Sequence, residues 1–166
     1  MKKSLSTLAL AVLSLAFVQN TFAQATATQT VTLAVNSVFK ISTSGNPGAL
    51  TITTGTAGTD ALTSVSDNST SYSITQNFGN AVKITGHMDA ALTSGYTLNL
   101  TLASTKGTSA GNVDISNATS GSAVDVVTGI NRGADAGQTI NYSFSALASA
   151  GTLSSTNKTI TLTLTN

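Results

Sequence analysis

Apolar and polar residues alternate along most of this chain with a period of two, the pattern of a β-strand that buries one face. The alternation is cleanest at residues 95–102, 138–146 and 159–165, where Thr, Ser or Asn fills the positions between apolar residues. Shorter runs predict further strands at residues 49–53, 71–75, 81–85, 113–115 and 124–126. Past the first 23 residues, no window has the apolar spacing of a sustained helix.

Turn-forming residues separate these runs, as at residues 44–48, 66–69 and 131–133. The sequence Phe78-Gly79-Asn80 lies between two alternating runs, and we expect it to join two paired strands as a hairpin. The pattern predicts an all-β fold, an antiparallel immunoglobulin-like β-sandwich of about 8–9 strands. A closed barrel is the alternative arrangement.

The first 23 residues have the composition of a secretory leader. Lys2 and Lys3 precede an apolar stretch at residues 8–18. Thr21 and Ala23 place small residues before a cleavage site after residue 23, and cleavage after Ala25 is also allowed. The stretch is shorter than the roughly 20 residues that span a bilayer. We predict a signal peptide at 1–23 and a single domain at 24–166, secreted, with the extracellular space, cell surface and periplasm left open as destinations.

Loss of the leader changes the charge of the chain. Lys2 and Lys3 are two of its seven basic residues, so five basic residues face six aspartates at 24–166, a net charge of −1. Five scattered cations form no basic stripe, so we expect no nucleic-acid partner and, after cleavage, no membrane span. The absence of Cys excludes disulfides, thiol catalysis and thiolate metal sites.

Catalytic constellations are missing from the sequence. His87 is the single histidine, and no Gly-x-Ser-x-Gly motif supplies a nucleophile for it. Six aspartates could in principle provide a glycosidase pair, but no spacing selects two of them, and the chain has no Trp to form a sugar platform. We therefore predict that the protein is not an enzyme.

Calcium is the one ion that loop residues of this chain could hold. Residues 66–68, 112–114 and 131–135 combine Asp and Asn in turns, but none matches an EF-hand or a Gly-Asp repeat. Asp and Asn in turns commonly bind their own backbone. We accordingly expect no cofactor.

The segment before residue 41 is too long for an ordinary strand. Alternation from residue 31 to 41 corresponds to roughly 36 Å, whereas strands usually span about 17–20 Å. Either a kink near Asn36-Ser37 lets one strand serve both sheets, or residues 24–36 form an extended N-terminal strand that completes the sheet of a neighbouring subunit. The candidate strand-exchange residues are Thr30, Val31, Leu33 and Val35.

With its leader, its Thr-rich segment at residues 28–35 and its alternating segment at 159–165, the chain resembles bacterial fimbrillin-like and related surface β-sandwich proteins. The resemblance implies a pilus subunit whose N-terminal donor strand fills a groove in the next subunit, with a chaperone and usher in export. The chain departs from the commoner chaperone–usher subunits because it lacks their cysteines.

Two functions from different classes fit the sequence. The first is a self-associating subunit of an extracellular fibre, pilus or matrix, whose partner is itself or another surface protein. The second is a monomeric secreted adhesin or glycan-binding module, which usually presents exposed aromatic rings. Tyr72, Tyr96 and Tyr142 fall on the predicted buried faces, and this favours the first function.

Overall fold

The structure, a computed structural model, describes residues 24–79 and 81–166. The predicted signal peptide, residues 1–23, lies outside the described residues. Within them, no helix has the length and apolar character needed to cross a membrane. The compact domain begins at Val35.

The domain is all-β, as the alternation predicted, with one 3-10 turn at Ala148–Ala150. Its strands are β1 (Phe39–Thr43), β2 (Val65–Gln76), β3 (Val82–Met88), β4 (Tyr96–Leu102), β5 (Thr108–Ser109), β6 (Val113–Asp114), β7 (Val124–Ile130), β8 (Gly133–Ala146) and β9 (Ile160–Thr165).

These strands form two sheets in which every neighbouring pair is antiparallel. One sheet has the order β1-β2-β8-β4-β6, and the other has the order β5-β7-β3-β9. Each sheet therefore has two edges, and the described strands do not close into a single barrel.

The inner faces of both sheets contribute to one hydrophobic core. Leu100 of β4 and Ile84 of β3 are both fully buried within it. Gly86 of β3 allows the sheets to approach closely, because a Cβ at this position would lie 3.1 Å from Leu100 and 3.6 Å from Leu162. The alternation in β4 and β9 is thus explained by side chains that point into the space between the sheets.

The predicted hairpin at Phe78-Gly79-Asn80 is wrong, because the chain changes sheets there. β2 pairs with β1 and β8, whereas β3 pairs with β7 and β9. The buried Gln76 holds this corner. Its Nε2 donates to the carbonyls of Gly79 and Ile130, and its Oε1 accepts the amide of Phe78.

Two predicted strands are also corrected. Residues 49–53 form no strand, although Leu50 packs against the core. The strand expected from residue 30 to 41 is present only at Phe39–Thr43. The earlier part of that run has no described strand beside it with which to exchange hydrogen bonds.

Candidate strand-exchange site

The leading segment, residues 24–38, belongs to no strand, yet it contains a regular apolar pattern. The side chains of Val31, Leu33 and Val35 are 72%, 87% and 87% exposed, and Thr30 is exposed as well. Burial of such a side chain against another apolar surface would contribute about 1.5–3 kcal/mol. The segment therefore has the alternating apolar pattern of a strand, but no described strand pairs with it.

Asn77 fixes the backbone at the end of this segment. Its Oδ1 accepts the Val38 amide at 2.7 Å, and its Nδ2 donates to the Asn36 carbonyl at 2.9 Å. Its own backbone amide donates to the Val38 carbonyl at 3.3 Å. The Asn77 side chain thereby bonds to the backbone that precedes β1, and these hydrogen bonds reach back to Asn36.

β9 offers an open edge on the side away from β3. The Asp89 amide donates to the Thr159 carbonyl at 3.0 Å, and hydrogen-bonded pairs alternate along an antiparallel ladder. Thr161 and Thr163 consequently exchange backbone bonds with β3. The N–H and C=O groups of Ile160, Leu162 and Leu164 point to the opposite edge, where no described strand pairs with them.

β1 has an open edge of the same kind. The Ser44 amide donates to the Ser71 carbonyl at 2.9 Å, so the even-numbered residues of β1 carry the bonds to β2. The backbone groups of Phe39, Ile41 and Thr43 face away from β2, and although β9 lies close to β1, no described strand pairs with them.

No known family model matches this chain, and no curated protein matches it.

The core is less completely covered along these two edges than at its centre. Ile160, Leu162 and Leu164 of β9 are only partly buried, although they pack against the core, and Phe39 and Ile41 of β1 share this property. By contrast, the core residues of central strands β3 and β4 are almost wholly buried. Additional apolar surface at this side of the domain would exclude more water from the core.

The aspartates of the candidate calcium loops accept hydrogen bonds from backbone groups. Asp67 accepts the amides of Ser69 and Gly48 and the Ser69 hydroxyl, and the Ser69 bonds contribute most to a lowered pKa of Asp67. Asp114 accepts the Ser116 amide at 2.8 Å. Across the described part of the chain, no three His, Asp or Glu side chains are grouped as metal ligands.

Asp135, from the third candidate loop, lies in β8 and is only 2% exposed. It accepts bonds from the hydroxyls of Ser104 and Thr105 and from the amides of Thr105 and Lys106, at 2.8–3.2 Å. Burial by itself raises the pKa of a carboxyl group, but these bonds outweigh it, and the pKa of Asp135 is lowered.

The remaining candidate side chains lie apart from the leading segment in sequence and from one another. His87 is near the end of β3, and its Nδ1 is buried without a hydrogen-bond partner among the described residues. Tyr72, Tyr96 and Tyr142 are buried, as their parity predicted, and burial raises the pKa of Tyr72 to about 12. Among the described aromatic side chains only Phe78 is exposed, while Phe39 and Phe144 are half-buried.

The alternation in the sequence predicts the apolar residues of the leading segment, but it predicts neither the role of Asn77 nor the unpaired edges of β1 and β9. Asn77 follows an alternating run as a turn residue, and nothing in its neighbours indicates a contact 41 positions earlier. The open edges follow from strand order. The clean alternation of residues 159–165 indicated a strand but not how many neighbours it has.

Proposed function

We propose that this protein is a non-catalytic structural subunit that associates with further copies of itself by strand addition, in an extracellular fibre, pilus or matrix. The observation that carries the proposal is the exposure of Val31, Leu33 and Val35 at alternating positions of the leading segment. An alternating segment without a partner is suited to pairing with the sheet edge of another molecule.

The β9 edge is the acceptor that fits this segment best. It presents three partly buried apolar residues, Ile160, Leu162 and Leu164, at the same spacing as the three of the leading segment. The β1 edge presents only Phe39 and Ile41. An added strand at β9 would extend the four-stranded sheet to five.

The parity of both segments defines a register. Directly opposite residues of an antiparallel pair share a face, so Leu33 would lie opposite Leu162, with Val35 opposite Ile160 and Val31 opposite Leu164. Thr32 would then lie on the outer face beside Thr161 and Thr163. Cross-strand Thr pairs stabilise a sheet modestly, and no charge is buried in this arrangement.

The wider proposal places this domain in the immunoglobulin-like class of β-sandwiches and outside the cytoplasm. Support for the class comes from the two antiparallel sheets that share one core. Support for secretion comes from the basic and apolar pattern of residues 1–23. The proposed partner is a second copy, because donor segment and acceptor edge occur in the same chain.

The proposal is tested by comparing residues 24–166 with a chain that begins at Ser37. The core contains no residue before Phe39, so the shorter chain should keep its fold, as checked by circular dichroism and thermal unfolding. We expect concentration-dependent oligomers or fibres of the longer chain in size exclusion and negative-stain microscopy, and monomers of the shorter one. A longer chain that stays monomeric at high concentration contradicts the proposal.

A further inference from the structure

A competing partner for the leading segment would be the edge of β1 in the same molecule, on which no described strand pairs. A reversal over Asn36, Ser37 and Val38 would form a hairpin with a three-residue loop, a common loop length. Val35 would then lie opposite Phe39, and Leu33 opposite Ile41, with apolar side chains on the same face. This intramolecular hairpin would bury the residues that strand addition needs.

Asn77 opposes such a reversal. Its Nδ2 donates to the Asn36 carbonyl and its Oδ1 accepts the Val38 amide, so the Asn77 side chain bonds the backbone on both sides of Ser37. A hairpin loop over these three residues turns the Asn36 carbonyl away from Asn77. At least one of these two bonds must break, and the released polar group needs a new partner.

The turn that carries Asn77 is itself held in place. The Phe78 carbonyl accepts a hydrogen bond from Arg132 Nε, and the Phe78 ring lies 5.5 Å from the Phe39 ring, centroid to centroid. Gln76 is bonded to Gly79 and to Ile130 of the other sheet. Asn77 therefore lies between two residues, Gln76 and Phe78, that both contact the domain.

We infer that Asn77 is a positioning residue that keeps the leading segment from folding back on β1 and so leaves it free for a second copy. The inference rests on the proposed function, since it concerns how the same segment chooses between two edges. In this inference the Asn77 side chain favours pairing of the leading segment with another molecule over pairing with β1 of its own molecule.

The test uses an intramolecular disulfide as a reporter of the hairpin. Leu33→Cys and Ile41→Cys are introduced together into residues 24–166, which contain no other cysteine. In the hairpin these residues would lie opposite each other, within the roughly 4.4–6.8 Å Cα separation that a disulfide requires. The rate of intramolecular oxidation is measured at high dilution, alone and combined with Asn77→Ala.

Asn99→Ala provides the matched control. Asn99 is also an Asn on the sheet of β2, and its side chain makes no hydrogen bond to any described residue. We expect Asn77→Ala to increase the rate of intramolecular oxidation roughly fivefold or more, the effect of losing hydrogen bonds of ordinary net strength. Asn99→Ala should leave the rate within about twofold of that of the parent.

Equal rates in the Asn77→Ala and Asn99→Ala chains would overturn the inference, as would rapid hairpin oxidation in the parent. The cysteine-free chains are compared separately for self-association, where Asn77→Ala should weaken assembly because the hairpin competes. If the unmodified residues 24–166 do not assemble at all, the proposed function fails. If they assemble and Asn77→Ala changes neither assembly nor oxidation, only the role of Asn77 fails.

Discussion

Asp135 combines near-complete burial with hydrogen bonds from the turn at residues 104–106. Because Asp135 lies in β8 and the turn follows β4, this one carboxylate ties a loop to the central strand of the five-stranded sheet. Its lowered pKa means that the folded state favours the charged form. Stability is then present above the unfolded-state pKa, about 3.9, and is lost as the pH falls through the folded pKa.

We predict that Asp135→Asn lowers the free energy of unfolding at pH 7 by about 1–3 kcal/mol, because an amide cannot accept all the bonds that the carboxylate accepts. Its stability should also change less between about pH 5 and pH 3 than that of the parent chain. Denaturant unfolding across this pH range measures both effects.

Asp125→Asn is the control for Asp135→Asn. Asp125 forms an ion pair with Lys83 at 2.8 Å, but both side chains are about two-fifths exposed, at 44% and 38%. Exposed ion pairs contribute about 0–1 kcal/mol, so this variant should remain close to the parent. Parallel loss of stability with acid in the Asp135→Asn and parent chains would contradict the role of Asp135.

Gly107 lies so close to β7 that a larger side chain would contact that strand. A Cβ at this position would lie 2.8 Å from the Thr128 carbonyl and 2.8 Å from Ile130 Cγ1. We predict that Gly107→Ala lowers stability by about 1–3 kcal/mol through overpacking. Gly121→Ala, where nothing lies within 4 Å of the added methyl group, should change stability by less than about 0.5 kcal/mol. Thermal unfolding of both variants checks this difference.

At the scale of strands, the sequence predicted which residues of a strand point inward better than it predicted where strands begin and end or which strands pair. The alternation in β4 and β9 assigned the inner residues correctly because in each strand one face is more buried than the other. β2 begins at Val65, well before the predicted run, because its first part pairs with β8 through polar positions and a register shift that interrupts the alternation. β5, two residues long, gives no periodic signal.

Pairing between strands could not be predicted from local pattern. The turn after β2 resembles a hairpin loop in composition, yet the buried side chain of Gln76 directs the chain into the other sheet. For the same reason the candidate site was only half predicted. The apolar residues of the leading segment are local in sequence, whereas Asn77 and the open edge of β9 become visible only when strand order is known.

We predict that Leu33→Asp weakens self-association strongly and that Thr32→Asp changes it little, although the two residues are neighbours. In the proposed pairing Leu33 points into the core of the partner, and a carboxylate there should raise the dissociation constant by at least about tenfold. Thr32 points outward, so Thr32→Asp should change it by less than about threefold. Sedimentation of residues 24–166 measures both, and equal effects would contradict the assigned parity.

At the scale of the whole molecule, the low charge of the chain extends to the unpaired edge of β9. Only 8% of residues are charged, and the outer positions of β9 are Thr rather than Lys, so little electrostatic repulsion protects this edge. Native proteins usually guard an exposed edge with charge, proline or a covering loop. In the proposed function, this neutral edge and the exposed apolar segment would pair with each other in different copies.

Amide hydrogen exchange tests strand addition at β9 most directly. The chain beginning at Ser37 is mixed with a peptide of residues 24–38, and exchange is followed by NMR. The account predicts that the amides of Ile160, Leu162 and Leu164 gain protection, while those of Thr161 and Thr163, already bonded to β3, change little. Unchanged exchange at Ile160, Leu162 and Leu164 with saturating peptide would contradict it.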